Sequence, residues 1–329
     1  MLCRVADSLF WMGRYIERAE NTARLVDVTH LSLLETTDSS DDLSFRHWSP
    51  ILESLGDTEL FSSIYKKKNS FNATYFLTFC NENPSSVFSC ITHARENARM
   101  IRDQISVEMW ETINKLYLFL KNTDADAVCG ELRFEFFTKI KEFTLLFQGI
   151  KEVTFSHTLG YDFLSCGYFL ERADKTCRIL DTKRYMSFQN EEDDLALDTA
   201  QWSAVLRASS GLDAFFREFV KPSDNSSVSK FLLLSRHFPR SVLFCINQLQ
   251  ESIHAISGCP LTHFSCEAER KVGLLISTLR YISIERMSEE EITELIESIE
   301  DQLADIAVDL CNQYMFNEIE DPSADLTEE

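Results

Sequence analysis

The sequence predicts an all-α protein formed by tandem duplication of a multi-helix unit of about 155 residues, the two units packed into one helical assembly. Three observations predict it. The 329 residues are 44% hydrophobic, enough for a sizeable core, yet include only nine glycines and six prolines, too few turn-formers for a β-rich fold. Apolar residues recur at helical spacing along most of the chain. Whole stretches also recur. "GRYIERAENTARLVD" at 13–27 returns as "GYFLERADKTCRILD" at 167–181. "WSPIL" at 48–52 returns as "WSAVL" at 202–206, and "FLTFCNENPSSVFSCI" at 76–91 as "FLLLSRHFPRSVLFCI" at 231–246. The three collinear matches are displaced by 154 or 155 positions, too long a period for a solenoid. The expected organisation is a first repeat over 1–155, a second over 156–316 and an acidic tail over 317–329.

In order, the periodicity predicts a long helix over 3–34, shorter ones near 45–55, 57–66 and 71–80, then long helices over 85–121 and 125–153. The second half reads as helices near 161–187, 198–221, 227–236, 239–257, 264–284 and 288–316. Ser85 and Ser288 are expected N-caps, Ser288 forming a capping box with Glu291. Pro239 suits a first helical turn. The polar stretches "TTDSSDD" at 36–42 and "NEEDD" at 190–194 read as loops.

The formal net charge of -21 argues against nucleic acid and anionic membrane surfaces, because phosphate binding needs a basic footprint. No apolar run is long enough to cross a bilayer. Arg4, Asp7, Arg14 and Glu17 interrupt any signal-peptide core. Ten cysteines occur without a C-x-x-C pair, and Cys259 and Cys266 match no common zinc spacing. Scattered cysteines at apolar helix positions indicate reduced buried thiols and a cytoplasmic setting. No metal or other cofactor is expected.

The first helix carries many ions for one so apolar. Val5, Leu9, Met12, Ile16, Ala19, Ala23, Val26 and His30 form a core stripe, and Phe10, Trp11, Leu25 and Val28 extend apolar surface beyond it. Arg14, Glu17, Asn21 and Arg24 form a second narrow stripe, joined by Arg18 and by Glu20, which precedes Arg24 in the favourable order. The second repeat keeps Glu171, Arg172 and Arg178 at the matching positions. In "HARENARMIRDQISVEMWE" at 93–111, Ile91, Ala94, Ala98, Ile101 and Ile105 face the core. Arg95, Glu96, Arg99 and Arg102 line another side. Glu17, Arg18, Glu20 and Arg24 are therefore expected to meet Arg95, Glu96, Arg99 and Arg102 across a helix contact, either as a register-fixing ion-pair ladder or as a polar site whose arginines grip a carboxylate or phosphate. "QESIH" in the second repeat keeps Glu251 but loses the arginines, which would centre any such site on the first half.

Other constellations carry less. Glu251 and His254 have the spacing of a di-iron helix motif, but that fold needs two such motifs. Cys90 and His93 lie one turn apart, yet Cys245 matches Cys90 without a matching histidine, so both cysteines read as core. Gly-rich phosphate loops and G-x-S-x-G are absent, and no catalytic residue is assigned.

"MLCRVADSLFWMGRYIERAENTARLVD", "NPSSVFSCITHARENARMIRDQISVEMWE" and "SHTLGYDFLSCGYFLERADKTCRILD" resemble, in this order and over nearly the whole chain, the bacterial alpha-E domain family. That resemblance implies an all-helical protein with no activity to carry over. It also implies association with circularly permuted ATP-grasp amidoligases and transglutaminase-like proteins, in peptide or amide-bond synthesis or modification. The chain departs from the family pattern at Gly167-Tyr168, where "GR" usually precedes the second "LERAD". Met1 falls at the usual start of the family motif, so no preceding domain is expected. The leading expectation is a non-catalytic accessory or binding partner of an ATP-grasp system. The alternatives are an enzyme using the Glu/Arg cluster on a peptide or amino acid, and a structural cytoplasmic scaffold.

Overall fold

A computed structural model describes residues 2–34, 45–130, 133–187, 195–219 and 225–315. The described residues contain helices and no strands. The expected loops at 36–42 and 190–194 and the tail from 317 lie outside them. The helices are α1 (Cys3–Leu34), α2 (Ser49–Leu55), α3 (Thr58–Ile64), α4 (Ser70–Thr78), α5 (Val87–Met100), α6 (Val107–Asn122), α7 (Ala125–Gly130) and α8 (Arg133–Thr154) in the first half. In the second half they are α9 (Leu159–Ser187), α10 (Leu195–Ala208), α11 (Leu212–Glu218), α12 (Asn225–Leu234), α13 (Val242–Ser257), α14 (Glu267–Tyr281), a 3-10 turn (Ile284–Arg286) and α15 (Glu289–Tyr314).

The two longest elements of the centre, α1 and α9, pack on each other. Contacts advance in the same direction along both: Phe10 meets Gly167, Glu17 meets Arg172, and Val28 lies with Thr182 around one small cavity. The helices therefore run parallel. Around this pair, α5 and α8 pack on α1, while α13 and α15 pack on α9. The short helices cross over: α2 packs on α9, and α10 packs on α1 as well as on α9. Phe10 and Leu25 are buried together with Leu9, Met12, Ile16, Ala19, Ala23 and Val26, because α1 has neighbours on nearly every side and its apolar residues outside the main stripe are covered too.

Serine caps set most of the sharp starts. Ser106, Ser241 and Ser288 accept hydrogen bonds from the backbone of Met109, Phe244 and Glu291, and Ser288 with Glu291 completes the expected capping box. Four expectations are corrected. The cap of α5 is Ser86, which accepts from Ser89 N, rather than Ser85. The helix expected over 85–121 breaks after Met100, where the chain turns so that Ile101 and Ile105 both reach the core and Ser106 caps a new helix. The helix expected over 239–257 starts at Val242, leaving Pro239 outside, since the carbonyls of Pro239 and Arg240 accept side-chain bonds from Arg172 and Thr176. The helix expected over 198–221 likewise breaks at Ser209–Gly211, where Ser210 takes a positive φ of 54°.

Candidate functional site

Two glycines bring the central helices close enough for their ions to meet. A Cβ on Gly13 would collide with the Leu164 carbonyl oxygen, and one on Gly167 with the Phe10 carbonyl oxygen. Only bare backbone permits this approach. One turn further along, the Glu-Arg dipeptide of each helix faces that of the other.

Each glutamate takes the other helix's arginine in a forked bond. Arg172 donates from Nε and Nη2 to Glu17 at 2.9 and 3.0 Å. Arg18 donates from Nε and Nη2 to Glu171 at 2.6 and 2.9 Å. Both glutamates are fully buried. Arg14 adds a bond of 2.8 Å to Glu171. This planar two-point match of guanidinium to carboxylate suits arginine and is beyond lysine.

A second tier flanks the first. Glu20 accepts from Arg24 at 2.9 Å and from Arg240 at 2.5 Å. Arg240 also reaches Glu17 and Asn21, at 3.1 and 3.2 Å. On α9, Arg178 donates to Asp174 at 3.0 Å, and Lys175 lies 3.2 Å from Asp174 and 3.7 Å from Glu171. Lys175 stands where α1 has Asn21, so a lysine on the helix itself does for Glu171 and Asp174 what Arg240 does for Glu17 and Glu20.

Burial opposes ionisation of Glu171, but Arg18, Arg14 and Lys175 outweigh it and hold its carboxyl well below the usual range. Glu20 is lowered against the same penalty by Arg240, Arg24 and Arg172, and Asp174 by Lys175 and Arg178. All stay ionised at neutral pH. Seven cations thus face four carboxylates, and protein groups take up the spare donors. Arg178 donates to the Ser54 carbonyl at 2.9 Å, and the Arg172 guanidinium lies 4.1 Å from the Tyr168 ring centre.

Beyond this tier Glu300 of α15 behaves differently. Burial pushes its pKa to about 7 despite Arg178, with Asp174 and Asp181 adding to the rise. One of its carboxylate oxygens is buried without a hydrogen-bond partner. Cys90 and Cys245 are also raised, each to about 12, chiefly by burial. Both thiols pack in the core, directed at the carbonyls of Pro84 and Pro239.

The expected meeting of the first helix with Arg95, Glu96, Arg99 and Arg102 is not what the structure contains, although α5 does pack on α1. Arg95 donates to Asn114 and Glu96, and lies 4.5 Å from the Tyr117 ring centre. Arg99 pairs with Glu96 in solvent, and Arg102 lies over Trp110. Ala94 and Ala98 fill the contact with the core, which turns these ions outward. The site is also not centred on the first half, because Glu171, Arg172, Asp174, Lys175, Arg178 and Arg240 supply about half of its charged groups. Sequence reasoning missed Arg240, Asp174 and Lys175. Alignment of "ERAEN" with "ERADK" could have exposed Asp174 and Lys175. Nothing in the sequence marks Arg240, which precedes a helix and acts across 223 positions. Glu251 accepts from Gln248 on an exposed face, apart from any di-iron arrangement.

The profile of the Alpha-E family, described as a predicted alpha-helical domain with a conserved ER motif, matches residues 1–315. The chain belongs to the Alpha-E family. In this Alpha-E chain the ER dipeptides at 17–18 and 171–172 are the ones that lock to each other, glutamate to arginine in both directions. The chain is 24% identical to uncharacterised proteins of Mycobacterium bovis and Mycobacterium tuberculosis over 338 aligned positions, which take in 92% of this chain and 36% of each relative. It spans about a third of the length of these relatives. No solved structure matches. No helix among the described residues is long and apolar enough to cross a membrane.

Proposed function

We propose that this Alpha-E chain is a non-catalytic accessory or binding component of an ATP-grasp amidoligase system for peptide synthesis or modification, working in the cytoplasm beside that ligase and a transglutaminase-like protein. One observation carries the non-catalytic part. Glu17, Glu20, Glu171 and Asp174 are each engaged by at least two cationic side chains. A carboxylate held in that way is a poor base and a poor nucleophile. The arginines stay protonated and can orient an anion but cannot accept a proton. The surface left for a partner includes Arg95 and Arg99 of α5 and Arg102 in the turn after it, all directed away from the lock. The duplicated plan, with repeats over 1–155 and 156–316, belongs to the same proposal. It is supported by contacts that interchange when 154 is added or subtracted: Gly13 on Leu164 with Gly167 on Phe10, and Arg18 on Glu171 with Arg172 on Glu17.

The test is affinity purification of the tagged chain from its native host. Co-elution of an ATP-grasp protein, weakened by Arg95→Glu or Arg99→Glu, is the expected result. A chain that elutes alone at native abundance of the ligase would refute the partnership.

Glu300 favours a second reading, an enzyme acting on a peptide or amino acid. A carboxyl with a pKa of about 7 and a free buried oxygen suits proton transfer. Turnover by the purified chain alone, lost in Glu300→Gln with helicity intact, would establish that reading; absence of turnover with the ligase's substrates is expected.

A further inference from the structure

The turn between α13 and α14 gathers three metal-binding side chains of three kinds. A ring nitrogen of His254, the thiol of Cys259 and a carboxylate oxygen of Glu269 lie within 4.8 Å of one another. His254 sits in the last turn of α13. Gly258 ends that helix in the left-handed conformation, with a φ of 73°. This sharp reversal brings Cys259 back beside the ring. Glu269 stands in the first turn of α14 and is buried. Three segments thus converge on one point.

Each donor is already oriented. His254 Nδ1 lies 2.9 Å from the Cys259 carbonyl oxygen. A carbonyl only accepts, so Nδ1–H donates to it and Nε2 is the nitrogen left to meet a ligand. Metal-bound histidines are commonly held by such a second bond to a backbone carbonyl. The Cys259 backbone N–H donates to Ser257 at 3.0 Å, which fixes the residue's position after the cap. Glu269 accepts from the amide and hydroxyl of Ser265. Among the described residues no lysine or arginine forms an ion pair with it, so a buried carboxylate here is short of a positive charge. That sets it apart from the four carboxylates of the Glu-Arg lock.

We infer that His254, Cys259 and Glu269 form a binding site for a borderline-soft divalent cation of the zinc class, with the fourth position left to water. Mixed nitrogen, sulfur and oxygen donors select such an ion over calcium or magnesium, which take oxygen alone. Zinc bonds are about 2.0–2.3 Å long, so side-chain rotation within the turn closes the remaining gap. Ligation releases one proton from the Cys259 thiol to solvent. The ion would tie the end of α13 to the start of α14 and pin the exposed loop between them. The spacing between Cys259 and Cys266 hides this from the sequence, because the site is completed by single residues on two helices rather than by paired cysteines.

The test uses the full chain, stripped with a chelator and dialysed. Zn²⁺ is titrated against a chromogenic competitor, and Co²⁺ is used as a spectroscopic substitute. The expected result is one equivalent per chain, with the intense visible bands of tetrahedral cobalt and a thiolate charge-transfer band. Cys259→Ser, in a half-exposed loop, should fold normally and weaken binding at least about tenfold. Cys3→Ser should leave binding unchanged. His254→Gln is scored only with its far-ultraviolet dichroism matched to the parent. Failure to take up a stoichiometric ion, uptake unaltered by Cys259→Ser, or a Cys259–Cys266 disulfide in freshly purified protein would each overturn the site.

Discussion

Glu17 and Arg172 form a buried forked pair across the two central helices, with both bonds between 2.9 and 3.0 Å. Arg18 and Glu171 repeat the pair with the roles of the helices reversed. Replacing a buried pair by apolar residues is often neutral, whereas removing one partner strands the other. Glu17→Ala leaves Arg172 and Arg240 facing a void and should destabilise the chain by about 3–5 kcal/mol. Arg172→Ala should cost a similar amount. In a double-mutant cycle the two should be non-additive by about 0.5–3 kcal/mol. Urea denaturation of the four proteins measures this, and additive losses would mean that the pair does not act as a unit.

The helix crossing supplies a steric test independent of charge. Ala at Gly167 places a methyl group against the Phe10 carbonyl, a backbone atom that cannot swing aside. Overpacking of this kind typically costs about 1–3 kcal/mol and occasionally more. Gly13→Ala, against the Leu164 carbonyl, should do likewise. By contrast, Gly149→Ala meets nothing within 4 Å and should stabilise α8 by up to about 1 kcal/mol, as removal of a helical glycine does. Melting temperatures of the three variants would reveal a loose crossing if all moved alike.

His30 predicts an acid limb. Burial, with Arg133 adding to it, lowers its pKa to about 3 from a usual 6.5. The folded state therefore resists the proton that the unfolded state accepts. Stability from this group is intact above about pH 6.5 and falls by about 1.4 kcal/mol per pH unit as the pH drops toward 3. Glu171, Glu20 and Asp174, whose pKa values are lowered in the fold, add their loss only below the usual carboxylate range. His30→Gln can keep the bond to Thr74 that His30 makes at 2.9 Å, and should flatten the curve between pH 6.5 and 4.5 while leaving the steeper fall below it.

Glu300 predicts the opposite slope on the alkaline side. Its folded pKa of about 7 exceeds the ordinary 4.5, so protonation favours the fold. The stability is present below about pH 4.5 and is lost as pH rises through 7. Glu300→Gln should remove that slope and be the more stable protein at pH 8. A parent whose stability is constant from pH 5 to 8 in the His30→Gln background would contradict the assignment.

The helical class, the core stripe of α1 and the presence of a Glu-Arg cluster were legible because they depend on local spacing. The partners within the cluster were not. Arg95 and Arg240 are both arginines near helices, and periodicity places the first on α5 without saying which way that helix is turned. Ala94 and Ala98 decide it, because two small residues let α5 lie flat on α1 and direct Arg95 away from it, toward Asn114 and Tyr117 of α6. Glu171 could be matched to Glu17 by the similarity of the two stretches, yet that similarity does not say whether like positions face each other. The two glycines at the crossing were visible in both stretches, and their meaning depends on a backbone contact that appears only in three dimensions. Ile101 and Ile105 misled in the other direction: their spacing continues the stripe of α5, but a turn also buries both.

The lock joins residues far apart in the order of synthesis. Glu17 leaves the ribosome with both of its cationic partners unmade, and the second, Arg240, is added 223 residues later. At the usual 5–20 residues per second this is a wait of about 10–45 s. Until Arg172 is made Glu17 has no cation to neutralise it, and until residues 195–208 are made α10 is not there to cover α1. Neither half can therefore reach its final state ahead of the other. A ribosome that stalls before codon 240 releases a fragment with an open seam, a ready substrate for cellular proteases, so quality control can read completeness of the chain from closure of the lock.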